Sequence, residues 1–125
     1  MSGSILILFA EDEPLIQSAA EDALVDGGYQ VLAASNGQEA IRLLDERIEE
    51  IGGLITDVRM GAGPTGWEVA RHARSLNPEL PVVYTTGDSA ADWAAEGVPK
   101  SVVVQKPYAD AQVLAAISSL MIISS

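Results

Sequence analysis

The sequence predicts one α/β domain in which a parallel β-sheet carries helices on both faces. Short, nearly continuous apolar runs, typical of strands buried on both sides, alternate with stretches whose apolar residues recur three and four positions apart, as in amphipathic helices. The 125 residues, of which 48% are hydrophobic and 20% charged, suffice for a single hydrophobic core. Five strand–helix units fit this length.

The five predicted strands are the apolar runs themselves. They are Ile5–Phe9, Gln30–Ala34, Leu54–Thr56, Val82–Thr86 and Val102–Val104. The carboxyl ends of parallel strands meet at one edge of a sheet, so the residues directly after these runs are candidates for a functional site.

Helices are predicted between the strands and after the last one. The first carries Leu15 to Leu24 and stops at Gly27-Gly28, and the second begins after Ser35-Asn36-Gly37 and is closed by Gly52-Gly53. The third ends at Asn77-Pro78, and the last carries Val113 to Met121. The fourth is weak, because only Ala90, Trp93 and Ala94 can form its apolar stripe and Gly97 and Pro99 prevent its continuation. We expect this fourth helix to be short or mobile.

Composition excludes several classes of function. The net charge of −11 argues against nucleic acid or an anionic membrane as a direct partner, because phosphate groups are bound by clustered lysine and arginine. The absence of cysteine removes disulfides, thiolate metal sites and cysteine nucleophiles. Neither a signal peptide nor an apolar run of about 20 residues is present, so we expect a cytoplasmic protein.

Acidic, hydroxyl and amino groups lie at the ends of four of the five strands. They are Glu11-Asp12 after the first, Asp57 after the third, Thr86 at the end of the fourth and Lys106 after the fifth. Clustered carboxylates remain ionised when a cation joins them, and hard oxygen ligands with several waters suit Mg²⁺. Asp57 can then attack phosphorus as a nucleophile while Lys106 and Thr86 hold the phosphoryl oxygens.

In these residues the chain resembles the receiver domains of two-component response regulators. The resemblance covers essentially the whole chain and implies a flavodoxin-like sheet of order 2-1-3-4-5 flanked by five helices. It implies that Asp57 accepts a phosphoryl group from a histidine kinase or a histidine phosphotransfer protein. Asp12, Asp57 and the backbone carbonyl of Arg59 would bind Mg²⁺ directly, with Glu11 acting mainly through water. Thr86 and Lys106 would hold the phosphoryl group, and the bond before Pro107 is expected to be cis.

The chain departs from the usual receiver pattern in three places. The position three residues before Lys106, usually aromatic, is Val103, and the loop from Asp57 to Gly66 is one residue longer than usual. The segment from Thr86 to Lys106 is slightly short. These traits, with Tyr84-Thr85-Thr86-Gly87, are similar to a subgroup of stand-alone receivers that lack this aromatic residue and whose fourth strand ends in a Phe-Ala-Thr-Gly-like motif. We therefore expect a receiver domain over residues 1–125 with no output domain, which signals by protein–protein interaction or acts as a phosphate sink.

The family also suggests a pair of residues that set the lifetime of the phosphorylated state. The positions two beyond Asp57 and two beyond Thr86 influence dephosphorylation in this family, and here they are Arg59 and Asp88, of opposite charge. We predict that their side chains pair across the site and impede the attacking water. The protein is not expected to be an enzyme beyond catalysing its own phosphorylation and dephosphorylation.

Three other functions are compatible with parts of the sequence. Gly61, Gly63 and Gly66 match the G-x-G-x-x-G pattern of dinucleotide-binding turns, but they come after the third strand, and the residue 20 positions after Gly66 is Thr86, not an acid. A phosphatase with an aspartate nucleophile needs a second acid two residues after it, where Arg59 lies. A receiver-like module that binds a partner constitutively remains an alternative because of Val103.

Overall fold

The structure, a computed structural model, describes residues 4–124 and contains a five-stranded parallel sheet in the order β2-β1-β3-β4-β5. The strands are β1 Leu6–Ala10, β2 Gln30–Ala34, β3 Ile51–Asp57, β4 Val82–Thr86 and β5 Ser101–Gln105. The helices are α1 Pro14–Asp26, α2 Gly37–Arg47, α3 Gly66–Leu76, α4 Trp93–Glu96 and α5 Asp110–Ser124. The predicted fold class and strand order are confirmed.

Two hydrophobic clusters, one on each face of the sheet, form the core. Alternate side chains of one strand point to opposite faces, so Leu8 packs with α2 and α3 whereas Ile7 and Phe9 pack with α1 and α5. Because both faces of the sheet are buried, the sequences of the strands are nearly continuous apolar runs. The same arrangement also leaves the carboxyl edge of the sheet free of helices, so that this edge presents the polar residues at the strand ends.

The glycine pair Gly52-Gly53 does not close α2, and the prediction that it does is wrong. The helix ends at Arg47 and a turn leads into β3, which begins at Ile51 and contains both glycines. A methyl group at Gly53 would collide with Ile7 and Met121. The pair is part of the sheet because Gly53 pairs with Ile7 of β1, and the missing side chain at Gly53 leaves room for the side chains of Ile7 and Met121.

The fourth helix is short, as predicted. A turn of 3₁₀ helix, Ala90–Asp92, precedes the single α-helical turn Trp93–Glu96. The phenolic oxygen of buried Tyr84 accepts a hydrogen bond from the backbone N–H of Val98 at 3.0 Å. The guanidinium of Arg74 donates to the carbonyl oxygens of Leu80 and Pro99. The segment after α4 is thus held by side chains from β4 and α3, and the expected mobility of α4 stays a prediction.

Candidate functional site

Three strand ends bring a lysine between two buried carboxylates. The ammonium of Lys106, which comes directly after β5, lies 3.0 Å from Oε1 of Glu11 and 3.0 Å from Oδ2 of Asp57. Glu11 comes directly after β1 and is 1% exposed, and Asp57 ends β3 and is 5% exposed. The order of the sheet places β1 and β3 side by side, which explains why residues far apart in sequence meet here.

A third carboxylate joins this group. Glu11, Asp12 and Asp57 each place one carboxylate oxygen within 4.8 Å of the other two. Asp12 is the exposed member of the three. Three carboxylates this close to each other repel, and the single ammonium of Lys106 does not balance them. A hard divalent cation fits such a donor set, because its ligands are anionic oxygens and its open side faces solvent.

The pKa shifts at the site reflect burial opposed by pairing. Burial, and then the charge of Asp57, raise the pKa of the Glu11 carboxyl to about 7. Burial also raises the pKa of Asp57, although the hydrogen bond from Lys106 works against this. For Lys106, burial lowers the pKa, but hydrogen bonds with the two carboxylates outweigh it and the pKa is raised. The lysine is therefore held as an ammonium ion beside the nucleophile candidate.

The loop between Asp57 and α3 is shaped by glycine and closed by a helix cap. Gly61 and Gly63 have φ angles of 74° and 98°, which side chains disfavour, and a methyl group at Gly66 would collide with the carbonyl oxygen of Asp57. Thr65 caps α3 in a capping box with Glu68. The backbone N–H of Gly66 donates to the carbonyl of Val58 at 2.8 Å. The glycines thus bend the loop around Asp57, and residues 58–65 make a longer connection between β3 and α3 than the tight turn of a dinucleotide site.

Within the described part of the chain, neither Thr86 nor the preceding Thr85 forms a side-chain hydrogen bond with Asp57. The hydroxyl oxygen of Thr86 accepts hydrogen bonds from the backbone N–H groups of Asp88 and Ser89, at 3.3 and 2.9 Å. Thr85 pairs with Asp57 across the strands, and its buried hydroxyl has no hydrogen-bond partner among the described residues. The role of Thr86 in holding a phosphoryl group stays a prediction.

The predicted pair of Arg59 and Asp88 is present. Nε of Arg59 lies 3.1 Å from Oδ1 of Asp88, and both side chains are more than half exposed. Sequence reasoning missed Ser89, whose hydroxyl accepts from Arg59 at 3.2 Å and donates to Asp88 at 2.9 Å. The only sequence signal for Ser89 is that it is a polar residue directly after Asp88. The pairing is thus established, whereas its effect on dephosphorylation stays a prediction.

Two further predictions about the site have different outcomes. The peptide bond between Lys106 and Pro107 is cis, as predicted. The expected role of the Arg59 carbonyl as a metal ligand stays a prediction. Outside the site, the side chain of His72 is 32% exposed and its Nε2 lies 2.7 Å from Oδ1 of Asp45, which joins α3 to α2.

Comparison with known proteins gives a consistent result. The family model described as "Response regulator receiver domain" matches residues 7–118. A solved response regulator receiver protein from Sinorhizobium medicae WSM419 is 39% identical, superposes with a TM-score of 0.94 and covers 98% of both chains. The response regulator receiver protein CpdR from Brucella abortus is 36% identical over 84 residues, which are 67% of this chain and 68% of CpdR.

Some relatives are much longer than this chain. Sensor kinase CckA from Brucella abortus is 29% identical over 97% of the chain, but the chain spans only 13% of that protein. For two further curated relatives, both transcriptional regulatory proteins, it spans 22% and 38%. Within residues 4–124, no helix has the length and apolar character needed to cross a bilayer.

Proposed function

Because the chain belongs to the response regulator receiver domain family, we propose that Asp57 is the phosphoacceptor of a two-component phosphorelay. The observation that carries this proposal is the position of its carboxylate, which ends β3, is 5% exposed and lies 3.0 Å from the ammonium of Lys106 among other acids. An exposed surface aspartate would have neither the positive charge nor the low-dielectric surroundings that phosphoryl transfer uses.

The reaction is an in-line displacement at phosphorus. One carboxylate oxygen of Asp57 forms a bond to phosphorus while the bond between phosphorus and the donor's histidine nitrogen breaks, and the electron pair returns to the imidazole. The product is an acyl phosphate. Lys106 stabilises the negative charge on the phosphoryl oxygens, and Thr86 donates its hydroxyl to one of them. The protein is then a substrate and catalyst of its own modification, not an enzyme acting on other molecules.

The three carboxylates of Glu11, Asp12 and Asp57 would hold Mg²⁺, together with the carbonyl oxygen of Arg59. When bound, the ion supplies positive charge that offsets the repulsion between the carboxylates and the incoming phosphoryl group. Asp12 is the exposed member of the group and Glu11 is the buried one that Lys106 contacts. We expect Asp12 to contribute more to metal affinity than Glu11, because a lysine already neutralises part of the Glu11 charge.

An apolar groove beside Asp57 supports a histidine-bearing protein as the donor. The groove has a volume of about 550 Å³. It is lined by residues of α1, of the turns after β4 and β5 and of the start of α5, namely Leu15, Ile16, Ala19, Gly87, Lys106, Pro107, Tyr108 and Asp110. Leu15 is 87% exposed at its rim. Since Lys106 belongs both to the groove and to the site, a protein that delivers a phosphoryl group to Asp57 must cover this groove.

Phosphorylation by a small donor tests the central proposal. Acetyl phosphate or beryllofluoride, added with Mg²⁺, should shift the NMR signals of residues around Asp57 and around Thr86 in the wild-type protein. Asp57→Ala should remove these changes, since it lacks the acceptor oxygen. A wild type that does not respond, or an unchanged response in Asp57→Ala, contradicts the proposal and favours the constitutive interaction module.

Substitution of Leu15 separates the donor surface from the chemistry. Leu15→Ser should slow phosphorylation by a histidine phosphotransfer protein that phosphorylates the wild-type chain, and leave phosphorylation by acetyl phosphate unchanged. Val25→Ser is the matched control, because Val25 is an exposed residue of the same helix that does not line the groove. Equal rates for Leu15→Ser and Val25→Ser with the protein donor would place the donor elsewhere, without affecting the role of Asp57.

A further inference from the structure

The turn that carries two of the three acids has no ordinary helix cap. Residues Glu11 to Glu13 connect β1 to α1, and Pro14 occupies the first turn of the helix. Glu13 is at the N-cap position but its side chain accepts no hydrogen bond from the helix. Helices usually fix their entry with such a cap. Other contacts must therefore hold Glu11 and Asp12 in place against their mutual repulsion.

The side chain of Gln17 ties this turn to the sheet. Its amide nitrogen donates to the carbonyl oxygen of Glu11 at 3.1 Å and to the carbonyl oxygen of Ala34, the last residue of β2, at 3.3 Å. The backbone N–H of Glu11 also donates to the Ala34 carbonyl, at 3.0 Å. One glutamine thus joins the first turn of α1 to the carboxyl ends of β1 and β2.

The contact with the Glu11 carbonyl restrains both acids at once. The carbonyl of Glu11 and the N–H of Asp12 belong to one planar peptide unit, so fixing that oxygen fixes the direction in which the Asp12 backbone leaves it. Glu11 is restrained at its other end as well, because its Oε2 accepts from the N–H of Glu13 at 3.1 Å. The positions of the two carboxylates therefore depend on the orientation of a single peptide plane.

We propose that Gln17 is a positioning residue for the metal site, which acts by holding the peptide between Glu11 and Asp12 in the orientation that directs both carboxylates toward Asp57. This inference rests on the Mg²⁺ role proposed above. Groups that orient metal ligands without touching the ion commonly change metal affinity by about 10- to 100-fold when they are removed. Gln17 meets the carbonyl of Glu11 and not its carboxylate, so we expect the lower end of this range.

Two variants of Gln17 distinguish the hydrogen bonds from packing. Gln17→Met keeps the length of the side chain and loses the donor, whereas Gln17→Ala loses both. Isothermal titration with MgCl₂ should show affinity weakened by about tenfold in both variants. Gln38→Met is the matched control, because Gln38 is an exposed residue of α2 outside the group of acids. This variant should bind Mg²⁺ with the affinity of the wild type.

A second measurement needs no metal. In Mg²⁺-free buffer, the backbone amide of Glu13 should exchange its hydrogen faster in Gln17→Met than in the wild type, while the melting temperature changes little. If Gln17 only stabilised the fold, Gln17→Met would have a lower melting temperature than the wild type and the same affinity for Mg²⁺.

The outcomes separate this inference from the proposed function. If the wild type binds Mg²⁺ and Gln17→Met binds it equally well, or if only Gln17→Ala is impaired, the positioning role is overturned and the proposed function is unaffected. If the wild type itself does not bind Mg²⁺, the positioning role of Gln17 and the proposed Mg²⁺-dependent function are both overturned.

Discussion

At the scale of single residues, three carboxyl groups lie together at the carboxyl edge of the sheet, and two of them share one ammonium ion. Lys106 lies 3.0 Å from Glu11 and from Asp57, whereas Asp12 forms no ion pair within residues 4–124. Burial makes this excess of negative charge unfavourable, as the raised pKa of Glu11 shows. The site is therefore suited to additional positive charge and, once that is present, to an incoming phosphoryl group.

The lifetime of the phosphorylated state depends on the exposed pair at the rim of the site. Arg59→Ala and Asp88→Ala should each accelerate loss of the phosphoryl group by more than about twofold, because the pair that obstructs the attacking water is broken. The measurement is the decay of phosphorylated protein after removal of the donor. Arg42→Ala is the control, since Arg42 pairs with Glu46 on the surface of α2. Decay rates within about twofold of the wild type would show that the pair does not set this lifetime.

At the scale of secondary-structure elements, the segment from α4 to β5 is fixed by buried polar contacts in place of a long helix. The hydroxyl of Tyr84 accepts from the backbone of Val98, and Nε1 of Trp93 donates to the hydroxyl of Ser101, which donates to the carbonyl of Val98. Trp67 of α3 packs on Tyr84 with ring centroids 4.6 Å apart. These contacts determine the path of the chain between α4 and β5.

Removal of one hydroxyl should loosen this segment. Tyr84→Phe leaves the buried N–H of Val98 without its acceptor, which costs about 1–3 kcal/mol in the free energy of unfolding. Urea denaturation measures the loss, and hydrogen exchange should show faster exchange at Val98. Tyr29→Phe is the control: its hydroxyl contacts the hydroxyl of Ser118 and no backbone N–H, so a smaller loss is expected. Equal stability for Tyr84→Phe and the wild type would show that the contact does not hold the segment.

The elements that sequence analysis located correctly are those with a strong local pattern. Strands β2 and β4 have the predicted bounds because each apolar run is followed at once by a turn residue, Ser35 or Gly87. The glycine pair in β3 resembles a helix end because glycine is common there, whereas its position in the sheet follows from the pairing of Gly53 with Ile7 of β1, which is distant in sequence. The acids and the lysine were predictable from their places after the strands. The contacts of Gln17 and Ser89 were not, because they join groups whose meeting depends on the tertiary fold.

At the scale of the whole molecule, the charges that create the site also oppose folding. A chain of net charge −11 that buries two of its carboxylates beside one another gains stability from any cation that binds only the folded state. The metal site is assembled from β1, the turn before α1 and β3, so it exists only when the sheet is complete. Metal binding should therefore be visible in global stability.

Addition of Mg²⁺ should stabilise the whole protein. At a free Mg²⁺ concentration of about 100 times its dissociation constant, the free energy of unfolding should rise by about 2.7 kcal/mol, and urea denaturation with and without MgCl₂ measures this. Asp12→Asn should lose most of the gain because it removes a ligand charge. Asp22→Asn, the same change at an exposed position of α1, should retain it. A gain that persists in Asp12→Asn would exclude this group of acids as the metal site.

The most direct test of the proposed phosphoacceptor is to locate the phosphoryl group on the chain. The protein is incubated with acetyl phosphate and Mg²⁺, the acyl phosphate is reduced with borohydride, and the peptides are analysed by mass spectrometry. We predict a single modified position, Asp57, with none in Asp57→Asn and strongly reduced modification in Lys106→Ala. Modification at Asp12 or Glu11 in place of Asp57, or an unmodified wild-type chain, would contradict the assignment of Asp57.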